Sequence, residues 1–304
     1  MKMRPAVFAW LPALLIAGCA NFGAVSEFAQ ETTRVSGVAR AELTQLDTLC
    51  RDQAELTIVV NDIADEGPLQ ACDVYKASQG RLAAVTLDVL DDYARALAAL
   101  ADDKSFELTT DINSVGKRVA GLQEQDGRKV LSRDQAVALT QIMQVLTEVA
   151  TERARDRGMA RLAAQAPNLA LAGRVLRSVF VADANAPVGR TSSPYANIVE
   201  LTRDSFDTTR KQLGQARLRR AEPLRTLELL RAMRVRDGQL ARRTGSGADA
   251  MPVVIAAAID AWLDALDVFA KDALRPDRAE LIRRIKALRA KTGAARNAFE
   301  KDHP

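Results

Sequence analysis

Residues 81–101 read RLAAVTLDVLDDYARALAALA, a strongly patterned stretch of a 304-residue chain. Its apolar residues recur at three- and four-residue steps, the period of one face of an α-helix. They form two neighbouring stripes, one of Leu82, Val89, Tyr93, Ala96 and Leu100 and the other of Leu87, Leu90, Ala94 and Leu97. Because two adjacent stripes make a broad apolar face, this helix must pack against at least two others. The predicted fold is an all-α, elongated multi-helix bundle with long amphipathic helices.

The composition agrees with that fold. Hydrophobic residues make up 48% of the chain but aromatic residues only 4%, so alanine and aliphatic side chains must form the core. Alanine has the highest helix propensity and lets helix axes approach closely. Glycine and proline are few, 16 and 10 residues, and no stretch alternates apolar and polar residues as a strand does.

The same helical period extends to both sides of this stretch. It begins near Val25 and reaches Leu49, and it returns over 111–122 and in a helix whose start is marked by a capping box, Ser132 with Gln135. Proline at 167 predicts a stop or kink, because proline cannot continue the hydrogen-bond ladder of a helix. A buried helix over 169–181 is expected to follow.

The best candidate boundary in the chain is the loop at 184–194, which contains Pro187 and Gly189. Beyond it the pattern predicts four more helices, over about 195–221, 223–243 and 250–273 and after Pro276. The predicted organisation is an N-terminal half at 19–183 and a C-terminal half at 195–304, packed together as one body.

The N-terminus has a different character. Lys2 and Arg4 precede an apolar run from Ala6 to Ala17, which ends in Leu15-Ile16-Ala17-Gly18-Cys19. This run is too short to span a bilayer and has the proportions of a secretory signal peptide. An aliphatic residue and two small residues before a cysteine resemble the lipobox of bacterial lipoproteins.

The lipobox resemblance covers only residues 1–20, and it implies a location. In bacterial lipoproteins the signal peptide, here 1–18, is removed and the cysteine, here Cys19, carries acyl chains such as palmitate that anchor the protein in the membrane. Ala20, rather than aspartate, follows the cysteine, which in that class favours the outer membrane, with the protein facing the periplasm. The alternative is an ordinary signal peptide in which the cysteine is accidental.

Two cysteines remain, Cys50 and Cys72, and in an oxidising compartment such a pair is expected to form a disulfide. The alternative is two buried thiols. If one helix ran unbroken to a turn at 66–68, Cys50 would lie about 25 Å from that turn, too far for a bridge. We therefore expect either a helix break near Cys50, with a compact excursion over 51–71, or no bridge. The run at 56–60, LTIVV, favours the break.

Charge is distributed unevenly between the predicted halves. Residues 19–183 contain 18 basic and 24 acidic side chains, whereas residues 184–304 contain 23 and 15. The two halves can neutralise each other within one folded body, which is the interpretation we favour. The alternative is that the basic half faces an acidic protein or anionic head groups.

The stretch 203–243 is unusually rich in arginine, with 12 basic residues against five acidic ones. The candidate surface for an anionic partner consists of Arg217, Arg219, Arg220, Arg231, Arg234, Arg236, Arg242 and Arg243. Nucleic acid is not expected as the partner, because an exported protein rarely meets it and no aromatic residues are interleaved to stack on bases. The alternative is that these arginines pair with acidic residues of the first half.

Recognisable catalytic chemistry is sparse. The single histidine, His303, is next to the last residue, so a histidine triad or a zinc site is not expected. The chain has no glycine-rich phosphate loop and no GxSxG motif, and we expect neither a metal nor a cofactor. Ser132 and Ser178 have the sequence context of cap or surface residues, and the adjacent pair Asp91-Asp92 is typical of a solvated helix face.

These observations predict a non-enzymatic envelope lipoprotein that acts as an adaptor or assembly factor through an envelope protein partner. The first alternative is a sensor or carrier that binds a small apolar ligand between helices. A hydrolase of envelope polymers is less favoured. A membrane-inserting role for 250–273 is disfavoured by Asp260, Asp264 and Asp267, which are costly in lipid.

Overall fold

The computed structural model describes residues 11–61, 66–102, 117, 132–152, 154–182, 193–213, 223–244, 247–272 and 279–301. Within these ranges the protein is 94% helical, with ten α-helices and no strands. The helices are α1 Leu11–Asn61, α2 Gly67–Tyr75, α3 Arg81–Ala101, α4 Arg133–Thr151, α5 Arg155–Ala164, α6 Ala166–Phe180, α7 Pro194–Leu213, α8 Pro223–Thr244, α9 Met251–Asp272 and α10 Ala279–Lys301. The predicted all-α multi-helix bundle is confirmed.

Helix α1 is the central element. Its 51 residues make a rod about 75 Å long at 1.5 Å per residue. It packs against α2, α3, α7, α9 and α10, so helices from both predicted halves contact it. The helices therefore bury one another around α1.

Aromatic side chains of α1 and α9 pack closely together around Thr32 of α1, beside a glycine of α6. Trp262 of α9 is fully buried and donates a hydrogen bond from Nε1 to Thr32 Oγ1 at 2.9 Å. Gly173 of α6 lies directly against this indole, and a Cβ added there would stand 2.7 Å from Trp262 Cζ3. Phe28 of α1 stacks on Phe269 with ring centroids 5.3 Å apart. This part of the core is apolar and tightly fitted.

Several local predictions are confirmed. Ser132 caps α4, and Gln135 returns a hydrogen bond to the Ser132 backbone, which completes the capping box. The helical run is interrupted at Gln165, just before Pro167, and α6 then continues to Phe180 as a largely buried helix. Asp260 and Asp264, the acidic residues that argued against insertion in lipid, pair with Arg177 and Arg284 respectively.

Some predicted elements lie outside the described residues. The helix predicted over 111–122 is described only at Lys117, and most of the loop at 184–194 is likewise not described. The helix predicted over 195–221 begins at Pro194, and its described part ends at Leu213. The start predicted near Pro276 also lies outside the described ranges.

The expectation about Cys50 is wrong in its geometry. The two cysteines are bridged, with their Cα atoms 6.1 Å apart, and yet α1 continues without a break past Cys50 to Asn61. Helix α1 ends at Asn61, six residues before Gly67. Cys50 is therefore closer to the end of its helix than it would be if the helix ran to a turn at 66–68. Residues 51–61 are therefore helix and not a compact excursion.

A π-helical segment that the sequence pattern did not predict joins α2 to α3. It covers Lys76–Gly80 and follows directly on Tyr75. The helical run from Gly67 to Ala101 thus changes its hydrogen-bonding pattern at this point. π-helical turns are rare and are found often at functional sites, where they change the direction in which side chains point.

Candidate functional site

The lipobox cysteine lies on the backbone of α1. The helix begins at Leu11 and passes through Cys19 without interruption, and Ala24 is already buried in the core. Five residues of helix correspond to about 8 Å. The core of the bundle therefore starts within about two helical turns of Cys19.

The first described side chains of α1 are held by contacts to other helices. The Arg155 guanidinium of α5 lies 3.3 Å from the centre of the Phe22 ring, a cation–π contact. Arg155 also donates a hydrogen bond to the carbonyl of Ala101, at the end of α3. No helix within the described ranges combines the length and the apolar character needed to cross a bilayer.

Ion pairs on α1 join the acidic and basic halves of the chain. Glu27 and Glu31 both contact Arg289 of α10, at 3.3 and 2.9 Å. Further along α1, Glu42 binds Arg243 at 2.7 Å. These pairs support the interpretation that the two halves neutralise each other, because the acidic partners come from the first half and the arginines from the second.

The most deeply buried of these ion pairs, Glu42 with Arg243, also binds a tyrosine. Glu42 and Arg243 have side chains that are 0% and 2% exposed, and two hydrogen bonds of 2.7 and 2.9 Å join their fork-shaped groups. Tyr195 of α7 donates a third hydrogen bond to Glu42 Oε1 at 2.6 Å. A carboxylate with both oxygens bound in this way is fully compensated, which a buried charge requires. The cluster ties α1, α7 and α8 together.

The structure separates the eight arginines of the candidate anionic-partner surface. Arg217, Arg219 and Arg220 lie outside the described residues, and for Arg242 only the backbone is described. Arg243 is buried on Glu42 and does not belong to an exposed surface.

The remaining three arginines lie on two different faces of α8. Arg231 and Arg234 are exposed on its outer face, beside the exposed aliphatic side chains of Leu227 and Val235. Arg236 lies on the inner side of the helix, towards α1. The exposed part of the predicted surface is therefore a mixed apolar and charged helix face.

Arg236 lines a cleft between α1 and α8 with a volume of about 350 Å³. The walls are formed by Gln45, Thr48, Leu49 and Asp52 of α1 and by Arg236, Gln239 and Arg243 of α8. Arg236 Nη1 is buried and has no hydrogen-bond partner. Its Nη2 is 4.0 Å from Asp52 Oδ2, an ion-pair distance that is too long for a hydrogen bond.

A second groove, of about 290 Å³, lies on the other side of α1 beside the π-helical segment. Its apolar part is formed by Leu43, Tyr75, Ala84 and Leu87. Two cations at its edge are paired, Arg40 with Asp88 and Asp91, and Lys76 with Asp47 at 2.7 Å. The neighbouring carboxylates outweigh the effect of burial and raise the pKa of Arg40.

Near the far end of α1, a cluster of hydroxyl groups joins α1 to α7. Thr57 Oγ1 lies 2.5 Å from Ser205 Oγ and 2.9 Å from Thr209 Oγ1, and Gln53 donates to Thr209 at 3.2 Å. The hydroxyl groups bind one another and backbone carbonyls, whereas Gln53 Oε1 is buried without a hydrogen-bond partner. It acts as a polar packing contact between the two helices.

All three tyrosines of the chain have raised pKa values. Burial raises the pKa of Tyr93, whose hydroxyl donates to the carbonyl of Leu162. Burial and the negative charge of Glu42 raise the pKa of Tyr195, and burial with the charges of Asp47 and Glu42 raises that of Tyr75. All three keep their protons at neutral pH, and Tyr93 and Tyr195 act as hydrogen-bond donors.

The other groups considered for catalysis have structural partners. Ser132 caps α4, and Ser178 donates to the carbonyl of Val175. Asp91 binds Arg40 at 2.8 Å, while its neighbour Asp92 faces Arg95. Within the described part of the chain, no three histidine, cysteine, aspartate or glutamate residues converge in the arrangement of a metal site.

Sequence reasoning did not identify Glu42 or Tyr195. A signal for Glu42 was present, since it falls in register with the apolar stripe of α1 formed by Val35, Ala39, Leu46 and Leu49. A carboxylate in such a stripe has to be buried together with a partner. The partner could not be found by spacing, because Arg243 lies 201 residues away along the chain.

No protein-family model, no curated protein and no solved structure matches this chain.

Proposed function

We propose that this protein is a lipid-anchored, non-enzymatic adaptor of the bacterial envelope that presents a rigid helical bundle to a protein partner. The observation that carries the proposal is the continuity of α1, which passes from the lipobox cysteine, Cys19, directly into the core. A flexible tether would let an anchored body search the space around it. A continuous helix holds the body against its anchor, which suits a component of a fixed assembly.

The outer face of α8 is the partner surface that we propose. Leu227 and Val235 are 53% and 64% exposed, and Arg231 and Arg234 flank them on the same face. Exposed aliphatic side chains rimmed by charge are typical of protein interaction surfaces. Arginine also forms paired hydrogen bonds with carboxylates, so an acidic helix or loop of an envelope protein is the partner of matching chemistry.

The position of α8 along α1 explains why the anchoring membrane itself is a poor candidate for this partner. Arg236 of α8 faces Asp52 of α1, and Asp52 lies 33 residues after Cys19. On a straight helix this separation is about 50 Å. A face at that distance is well placed to bind a protein standing beside the anchored bundle.

The anchor is tested by metabolic labelling with an alkyne-tagged palmitate in the native host. The wild-type protein is expected to incorporate the label and to fractionate with outer membranes. Cys19→Ser is expected to lose both the label and the membrane association. Equal labelling of the two proteins would overturn the assignment of Cys19.

The partner surface is tested by crosslinking in native membranes, followed by affinity capture and mass spectrometry. Wild-type protein is expected to enrich one envelope protein in about stoichiometric amount. The double reversal Arg231→Glu/Arg234→Glu should abolish this enrichment. The matched control is Lys286→Glu/Lys291→Glu, which makes the same charge change on the exposed face of α10. If both double variants lose the partner, or neither does, the α8 surface is not the docking site.

The groove beside the π-helical segment favours a second candidate function, the binding of a small apolar ligand. Its apolar lining by Leu43, Ala84 and Leu87 and its location between helices match the usual sites in helical bundles. Native mass spectrometry of protein purified from its own membranes tests this function. A bound apolar molecule, lost in Ala84→Phe, would support the carrier function, and unliganded wild-type protein would exclude it.

A further inference from the structure

We propose that the cleft between α1 and α8 is a binding site for a small zwitterion of amino-acid or dipeptide size. In this site Arg236 binds the ligand carboxylate and Asp52 binds its ammonium group. The proposal does not depend on the anchor or on the outer face of α8. It rests on the charges, the unused hydrogen-bonding capacity and the dimensions of the cleft.

The charges of the cleft are complementary to a zwitterion. Arg243 is neutralised by its two hydrogen bonds to buried Glu42, which leaves Arg236 and Asp52 as the two groups of opposite charge that face the space. A purely anionic or cationic ligand would add an uncompensated charge to a partly enclosed site, which is costly. A ligand that carries both charges adds none.

Arg236 has unused capacity for a carboxylate. Its Nη1 atom is buried without a hydrogen-bond partner, and the side chain as a whole is only 22% exposed. Because this atom is buried, the Arg236 side chain must turn before a ligand oxygen can reach it, and the free energy recovered by pairing the unpaired donor favours that turn. The planar guanidinium can then hold a carboxylate by two parallel hydrogen bonds.

Asp52 stands opposite in a position suited to the ammonium group. It is 4.0 Å from Arg236 Nη2, so the two groups attract each other without using up their hydrogen bonds. Half of the Asp52 side chain is exposed, which leaves it free to turn towards a ligand. An α-amino acid has its own two charged groups a few ångströms apart and can lie alongside this pair, with its carboxylate against Arg236 and its ammonium group against Asp52.

The remaining walls select a small, mostly polar ligand. Gln45, Thr48 and Gln239 contribute amide and hydroxyl groups, and Leu49 provides an apolar patch. The Thr48 hydroxyl donates to the carbonyl of Thr44 at 3.1 Å, so its oxygen still has capacity to accept a hydrogen bond. A volume of about 350 Å³ lies near the lower limit of small-molecule pockets, roughly 300–1,000 Å³, which suits an amino acid or a dipeptide.

Isothermal titration of the full-length protein in detergent tests the proposal with matched probes. The zwitterions, each without net charge at neutral pH, are L-alanine, L-glutamine and L-alanyl-L-alanine. Propionate and propylamine each carry only one of the two charged groups of alanine. At least one zwitterion is expected to bind at a 1:1 ratio with a dissociation constant of roughly millimolar or below. Propionate and propylamine should each bind at least about tenfold more weakly, because each leaves one charge of the cleft unpaired.

Variants identify the site. Arg236→Gln and Asp52→Asn should each weaken zwitterion binding at least about tenfold, whereas Arg210→Gln, on the exposed surface of α7, should leave it unchanged. Arg236→Lys keeps the charge but loses the paired geometry, and it should bind with intermediate affinity. The probe comparison on wild-type protein tests the claim even if a variant does not fold. Absence of saturable binding by every zwitterion, equal binding of propionate, or full binding by Arg236→Gln would each overturn the proposal.

Discussion

The two ends of α1 are stabilised in different ways although they belong to one continuous helix. Between Ala24 and Ala39 its buried face is mostly apolar and packs against Phe269 and Trp262 of α9, although it also contains the buried side chains of Glu31, Thr32 and Ser36. Between Glu42 and Thr57 the buried face carries a charged pair, a hydroxyl cluster and a disulfide. We call these segments the apolar half and the polar half of α1.

The difference shows where this bundle can carry a function. Apolar packing is non-directional and fills space closely, and the void described beside Trp262, next to the apolar half, is about 10 Å³. Hydrogen bonds and ion pairs require fixed angles and distances, so they constrain how the helices around the polar half approach one another. Both grooves described above flank the polar half, and neither is lined by α9 or α10.

The largest expected effect is the removal of the buried charge in the polar half. Glu42→Ala leaves Arg243 buried without its carboxylate and should lower the free energy of unfolding by about 3–5 kcal/mol. Urea unfolding followed by circular dichroism measures this change. The triple variant Glu42→Leu/Tyr195→Phe/Arg243→Met should recover most of the loss, because it removes the charges together. If the triple variant is as unstable as the single one, the pair is not the source of the effect.

The disulfide is the next expected contribution. Cys50 and Cys72 are 22 residues apart, and a bridge closing a loop of that length stabilises a protein by about 3 kcal/mol. Cys50→Ala/Cys72→Ala should therefore lower the urea midpoint of unfolding. Reductant should lower the midpoint of the wild-type protein to a similar value and leave the variant unchanged. A wild-type midpoint that does not respond to complete reduction would contradict the prediction.

A substitution in the apolar half should act through steric overlap. Gly173→Ala places a methyl group 2.7 Å from Trp262 Cζ3 and 2.9 Å from Leu263 Cδ2, so we expect a loss of about 1–3 kcal/mol. Gly37→Ala is the matched control, because this helical glycine has no atom near the added methyl group, and it should be neutral or slightly stabilising. Equal stability of the two variants would show that the apolar half is packed less tightly than described.

The smallest expected effect is the loss of stability that each buried tyrosine causes at alkaline pH. A tyrosine whose pKa is raised on folding stabilises the native state fully below the unfolded value of about 10, and this contribution is lost as pH rises through the folded pKa. Tyr93 lies beside α5 and Tyr195 on the polar half of α1. At pH 11 each should lower the stability by about 1 kcal/mol relative to pH 9.

Absorbance at 295 nm measures this response directly. Tyr75, Tyr93 and Tyr195 should ionise together with global unfolding, and not near pH 10 in the folded protein. Tyr93→Phe and Tyr195→Phe should each reduce the loss of stability between pH 9 and pH 11 by about 1 kcal/mol, the contribution of one tyrosine. A tyrosine that titrates near pH 10 while the helical circular dichroism signal is intact would be exposed, contrary to its described burial.

Much of the fold could be predicted from the chain itself, because helices are coded locally. The three- and four-residue apolar period, the capping box at Ser132 and Gln135 and the stop before Pro167 depend only on neighbouring residues, and the structure confirms each. The pairing of Cys50 with Cys72 was expected from their number and compartment. The path of the chain between them was predicted incorrectly, because spacing does not show where a helix ends.

The tertiary structure decided which side chains of different helices pair with one another and where clefts remain between the helices. Arg243 belonged by composition to an exposed basic stretch, yet it is buried because Glu42, 201 residues away, needs a partner in the core. The cleft at Arg236 and Asp52 exists because α8 packs mainly on α7 and meets α1 through side chains, which leaves a gap between α8 and α1. A local pattern determines which face of a helix is apolar. Which faces meet, and which charged groups are left facing a cavity, follows only from the packing of the whole chain.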